Sequence, residues 1–206
     1  MPANSMIARA DYEDYLIYLY FGSNPDFLTA CVNRAYRDFN RTLHGFGRLE
    51  NSGEIYNQAE NLLKDALDRL KLITTNQIST EVFDNWHKET CEGLILLFES
   101  NGHHLFIGQA QKWINMTMKY IFTLGEQRVA GFEPVYLYCH IPFDNILLEQ
   151  LEKYGFPALN CAWSRLDNYN KYLEKQKWVR QKFSLVPLDV EFHLWLGKEP
   201  DPNKET

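Results

Sequence analysis

The chain predicts an all-α fold, a compact single-domain bundle of seven or eight helices over residues 1–206 with at most one short strand pair. Three observations lead there. Apolar residues recur at helical spacing almost throughout. The segment with the strongest strand character, Pro134 to Cys139, holds one β-branched residue. Hydrophobic residues make up 45% of the chain, enough for a core and too many for a disordered segment.

The elements follow in order. Tyr12, Tyr15, Leu16, Leu19 and Tyr20 make an aromatic stripe on a first helix. Asn24-Pro25 reads as an N-cap followed by proline at the first helical position. The second helix places Leu28, Cys31, Val32, Ala35 and Phe39 on one face and ends near Gly45 and Gly47. Ser52-Gly53 opens a third, with Ile55, Ala59, Leu62, Leu63, Ala66, Leu67 and Leu70 inward and Glu60–Lys64 as an (i, i+4) pair. Ser79-Thr80-Glu81 opens a fourth, with Val82, Trp86, Thr90, Leu94, Leu97 and Phe98 inward, and Asn101-Gly102 ends it. A fifth runs from Gly108 to Leu124, a sixth begins near Pro142, and a basic seventh spans Trp163 to Phe183. Pro187 to Leu196 is a closing strand or helix whose Phe192, Leu194 and Trp195 plug the core, and residues 198–206 fray. No internal repeat or low-complexity tract interrupts this order.

Charge and cysteine content narrow the function. The net charge is −6, against indiscriminate binding to nucleic acid or acidic membranes. Local zones run the other way. Arg165 to Lys182 carries six basic residues against two acidic ones, with Tyr169, Tyr172 and Trp178 interleaved; Arg34 to Arg48 carries four arginines against one aspartate. Such mixtures hold phosphates and stack bases, although a solvated helix face has the same composition. Cys31, Cys91, Cys139 and Cys161 form no CxxC pair and read as buried free thiols in a reducing compartment. The N-terminal residues hold no apolar core of signal-peptide length, and apolar runs such as Leu94 to Phe98 are far below the ~20 residues of a membrane span. A soluble, cytoplasmic protein with no membrane partner is expected.

The most unusual stretch runs from Gly108 to Phe122. On a helix, Ala110, Ile114, Thr117, Ile121 and Leu124 form the buried stripe. Gln109, Lys112, Asn115 and Lys119 then share an arc of roughly 120° at 100° per residue, either a plain exposed face or the lining of a cleft. Gly108 would let backbone N–H groups approach an anion. Downstream, Cys139-His140-Ile141-Pro142-Phe143-Asp144 puts Asp144 in the first turn of the next helix, where the dipole favours an anion, and sets His140 and Asp144 close enough to share a site.

This arrangement resembles the helix-hairpin-helix DNA glycosylase superfamily through Gly108, Lys112 and the triad Pro142-Phe143-Asp144. The resemblance covers about 40 residues. Lys112 and Asp144 stand 32 residues apart, farther than in that family, and the full Leu-Pro-Gly-x-Gly hairpin is absent. The pattern also looks like that of an uncharacterised bacterial protein family, which implies no activity. The glycosylase resemblance implies excision of a modified base after flipping, with Asp144 stabilising positive charge at the sugar or orienting a water, and Lys112 as an amine nucleophile. His140 joins them as a candidate catalytic residue. Trp113, Tyr138 or Trp163 would stack on the base, Gly108, Gln109, Asn115 and Lys119 would line the substrate, and Lys171, Lys175, Lys177, Arg180 and Lys182 would track phosphates.

Neither metal nor cofactor is expected. His87 and the pair His103-His104 lack an HExxH-type spacing, and no GxSxG, Walker or GxGxxG motif occurs. Arg41-Thr42-Leu43-His44 is shorter than the usual helical ribonuclease motif. Pro187-Leu188-Asp189 is a second Pro-x-Asp, which would add Asp189 and Glu191 to the site. Two further functions stay open: a protein-interaction module of a bacterial defence or toxin–antitoxin system, and a helical nuclease.

Overall fold

The computed structural model describes residues 8–74 and 78–201. Eight α-helices and four short 3-10 segments form it, with no β-strand among the described residues. The helices are α1 (Arg9–Phe21), α2 (Phe27–Phe39), α3 (Ser52–Thr74), α4 (Thr80–Ser100), α5 (Ile107–Leu124), α6 (Asn145–Glu152), α7 (Tyr169–Lys182) and α8 (Pro187–Trp195). The all-α expectation and the helix count hold.

α5 is the central rod. Its whole length from Ile107 to Met118 is buried, with α2 and α4 packed along it and the turn Trp163–Arg165 closed over its start. Apolar packing is therefore not confined to one stripe. Ala110, Ile114, Thr117, Ile121 and Leu124 are buried as their spacing predicts, but Gln111, Asn115 and Lys112 are buried too.

Gly108 sets how closely the Trp163 turn approaches. A Cβ there would lie 1.8 Å from the Trp163 carbonyl oxygen. The Gly108 N–H donates to Leu166 O at 2.8 Å, so it is occupied by the protein's own backbone. The same turn explains a correction. The segment from Trp163 to Phe183 is not one helix: carbonyls near Leu166 turn to α5, the chain extends, and Asn168 re-caps it by accepting from Lys171 N at 3.0 Å.

Other boundaries move for local reasons. The α2 cap is Asp26, whose carboxylate accepts from Leu28 N and Thr29 N, while Asn24 accepts from Asp26 N. The helix stops at Phe39 and passes into the 3-10 turn Asn40–Thr42, short of Gly45. α6 begins at Asn145, after Asp144 rather than at Pro142. Residues 133–138 form a 3-10 turn, not a strand; Pro134 fits its start, and its N–H groups bond locally, as Val135 N does to Phe132 O. Ser79 caps α4 as predicted.

Two expectations about burial fail. The stripe on α1 faces outward: Tyr12, Tyr15, Leu16 and Leu19 are each more than half exposed, and among described α1 residues only Phe21 is buried. Trp195 does not plug the core, being 48% exposed, although Leu194 does. Residues 198–201 of the expected frayed tail are tied down, since Lys198 N donates to His193 O and Ser184 N to Asp201 O. Residues 202–206 lie outside the described residues. Cys31, Cys91 and Cys139 are buried free thiols, whereas Cys161 is exposed. No helix among the described residues is long and apolar enough to cross a membrane.

Candidate functional site: a cation-ringed cavity

A cavity of about 540 Å3 opens where five helices meet. α2 contributes Arg34, Arg37 and Asp38, the 3-10 turn that follows it contributes Arg41, and α5 contributes Lys112, Met116, Lys119 and Tyr120. Tyr20 of α1, Trp163, Trp195 of α8 and the start of α6 at Asp144 complete the wall. Five cations thus face two carboxylates, in a chain whose total charge is −6.

Lys112 and Asp144 meet at this wall. Lys112 Nζ donates to Asp144 Oδ2 at 2.7 Å, with the two side chains 4% and 19% exposed. Asp144 is also the N-cap of α6: its Oδ1 accepts from Leu147 N at 2.8 Å. Each carboxylate oxygen therefore has a fixed donor, and the helix dipole adds to the stabilisation of the anion.

Two glutamines hold the extended segment that leads to Asp144. Gln176 of α7 donates to Ile141 O at 2.8 Å and accepts from Ile141 N at 3.0 Å. Gln111 of α5 accepts from Phe143 N at 3.3 Å and donates toward Phe143 O. Pro142, with no N–H to satisfy, sits between them.

A second pair lies about two helical turns along α5. Lys119 Nζ donates to Glu191 Oε1 at 2.7 Å. Glu191 is fully buried and its Oε2 has no hydrogen-bond partner among the described residues. Burial pushes its carboxyl above the usual range, only partly offset by Lys119. On the opposite wall Tyr120 donates to Asp38, Tyr20 and Tyr120 share a hydrogen bond at 3.0 Å, and the Arg34 guanidinium lies 4.3 Å from the Tyr20 ring centroid.

The sequence-predicted residues divide into two groups. The structure gathers Lys112, Asp144, Lys119 and Trp163 around the cavity. It places the others elsewhere. Gln109 accepts from Phe106 N and donates to Thr42 O, tying α5 to the end of α2. Trp113 is core, its indole N–H donating to Val32 O. Tyr138 is half-buried off the cavity and its carbonyl accepts from Arg180. On α7, Lys171 and Lys177 are exposed, Lys175 lies over the Phe156 ring, Lys182 is half-buried, and none of them lines the cavity. Asp189 accepts from Tyr136 Oη. His103 packs on Phe46 and Phe98, His104 bonds Glu99, and the described residues contain no cluster of three metal-ligating side chains.

His140, Asn115 and Arg180 belong to a buried network beneath the cavity. Arg180 forks onto both oxygens of Asp84 at 3.1 and 2.9 Å. His140 Nε2 lies 2.8 Å from Asp84 Oδ1, so it carries the proton, and Nδ1 then accepts from Tyr172 Oη at 2.8 Å. Tyr172 Oη accepts from Asn115 Nδ2 at 2.8 Å, and Asn115 Oδ1 lies 3.1 Å from His87 Nε2. The donors run one way, from His87 to Asp84, with every member satisfied.

Burial works to raise the Asp84 carboxyl, yet His140 and Arg180 hold it at about 2. Burial pushes His140 down to about 4 against its bond to Asp84, and pushes His87 well below 6.5 with the nearby His140 adding to the effect. Below about pH 6.5 the unfolded chain protonates these imidazoles and the folded chain does not. The unfolded state then binds more protons, so stability falls as pH drops toward about 4, by about 3 kcal/mol for His140 alone. The Asp84 contribution, present above the unfolded carboxylate range, is lost only as pH falls further toward about 2. Urea midpoints measured between about pH 7 and pH 4.5 should fall steadily; a flat profile would overturn neutral burial of the histidines.

Sequence reasoning missed Tyr20, Arg37, Arg41 and Trp195 as cavity residues. The arginine-rich stretch from Arg34 to Arg48 was the available signal for the α2 wall. Comparison of the chain with family models, curated proteins and solved structures finds no match.

Proposed function

We propose that the protein excises a modified or damaged base from DNA, cleaving the N-glycosidic bond of a nucleotide flipped into the cavity. The observation that carries this reading is the Lys112–Asp144 ion pair on the wall of a cation-rich cavity that Trp163 and Trp195 also line. The cavity volume falls within the range of small-ligand sites. Arginines suit phosphates, and indole rings suit a base removed from its stack.

In this mechanism the C1′–N bond breaks with its electron pair leaving on the base, and the sugar gains oxocarbenium character. Asp144 stabilises that charge. A water oxygen bonds to C1′, and one of its protons passes by way of Asp144 to the departing base nitrogen. Lys112 keeps the carboxylate aimed. Asp144→Asn is the test, because asparagine keeps the α6 cap. Abasic-site formation on DNA carrying modified bases should fall by roughly 10²- to 10⁴-fold; the thermal midpoint falls too, because buried Lys112 loses its counterion, so the rate is read at a temperature where far-UV circular dichroism shows the variant folded. An unchanged rate would remove Asp144 from the chemistry.

A second reading has its own observation. The exposed Tyr12, Tyr15, Leu16 and Leu19 of α1 suit a protein-interaction module. Binding through this apolar face would be insensitive to salt, whereas DNA binding would weaken steeply.

A further inference from the structure

The basic helix that sequence composition singles out for phosphates, α7, has its one arginine engaged elsewhere, since Arg180 is forked onto Asp84. α2 is different. Arg34, Arg37 and Arg41 all line the cavity. Arg34 and Arg37 lie about one turn apart on the last turns of α2, and Arg41 follows in the 3-10 turn Asn40–Thr42. Arg37 and Arg41 are exposed and neither forms an ion pair or hydrogen bond among the described residues. Arg34 is braced by Asp38 and the Tyr20 ring, and its Nε is a buried donor with no acceptor. The end of α2 and the 3-10 turn after it spread the three over roughly 10 Å, and phosphates of one strand recur every ~3.4 Å along a duplex axis.

We propose that Arg34, Arg37 and Arg41 bind consecutive phosphates of one nucleic-acid strand, so that the strand crosses α2 at the cavity mouth and α7 stays clear of it. The proposal rests on the base-excision reading for what the strand delivers. It predicts a separable binding defect.

The probe is a fluorescein-labelled DNA duplex containing a tetrahydrofuran abasic analogue, titrated with the full chain over a range of salt. Arg37→Gln/Arg41→Gln should weaken binding about tenfold or more and make the slope of log affinity against log salt shallower by about 2. Lys171→Gln/Lys177→Gln should stay within about twofold of the original chain. Thermal midpoints of both variants check that these exposed substitutions leave the fold intact. The proposal fails if the arginine variant binds as the original does, if the lysine variant carries the loss, if the original chain does not bind the duplex, or if excess deoxynucleoside monophosphate displaces it as readily as unlabelled duplex. Duplex binding with the expected arginine loss, but no abasic sites formed on modified DNA, would sink the base-excision reading alone.

Discussion

Asp84→Ala is expected to lower folding stability by about 3–5 kcal/mol, read from the shift of the urea midpoint. The carboxylate is 7% exposed and accepts two bonds from Arg180 and one from His140. Its removal leaves the largely buried Arg180 guanidinium with only the Tyr138 carbonyl as a hydrogen-bond partner among the described residues. The His140 proton loses its acceptor as well, and the loss passes to Tyr172 and Asn115. The cost is that of stranding a charge, not of deleting a contact. Adding Arg180→Met should therefore recover part of it, because the uncompensated cation is then gone. A loss below about 1 kcal/mol for the single variant would show that Asp84 does not anchor the network.

Gly108→Ala should destabilise the protein by about 3 kcal/mol or more, although alanine is the better helix former by about 1 kcal/mol. Two effects oppose each other and sterics win. The new Cβ would sit 1.8 Å from Trp163 O, 2.8 Å from its carbonyl carbon and 3.2 Å from Ser164 Cα. All three are backbone atoms, so no rotamer change relieves the overlap. α5 and the 163–165 turn must part, breaking the Gly108–Leu166 bond and moving Trp163 at the cavity wall. Gly93→Ala on α4 is the contrast: its Cβ would meet only Leu62 methyls at 3.6 and 3.7 Å, ordinary contact, and stability should hold or rise. Denaturant midpoints and tryptophan emission of the two variants measure both signs.

How much of this was legible in the sequence depends on what each helix touches. α3 and α4 could be read because each has one wet face, so their apolar spacing reports the core directly. α5 could be read only in part. The period located Ala110, Ile114 and Ile121 correctly, but it assigned Gln109, Lys112, Asn115 and Lys119 to a single arc. A helix enclosed on every side has no solvent arc, and its polar residues part according to what each neighbour offers: Thr42 for Gln109, Asp144 for Lys112, His87 and Tyr172 for Asn115, Glu191 for Lys119. Those partners lie 28 to 72 residues away in sequence, beyond any local pattern. On α1 the apolar period was present but no described element packs over it, so the stripe faces outward. Trp195 was misplaced because its neighbours Leu188 and Leu194 are core, and one residue of helical rotation carries it to the cavity rim.

The paired glutamines on the 141–143 segment have a mechanical consequence. This stretch has no helix or strand of its own, yet its amides are bolted to α5 through Gln111 and to α7 through Gln176. Its backbone can open only when those two helices separate, which makes its opening free energy that of the core and not that of a loop. Asp144 thus stands at a solvent-facing wall on a mount as stiff as the protein's interior. A carboxylate held in that way keeps its aim through the thermal motion that blurs ordinary surface side chains.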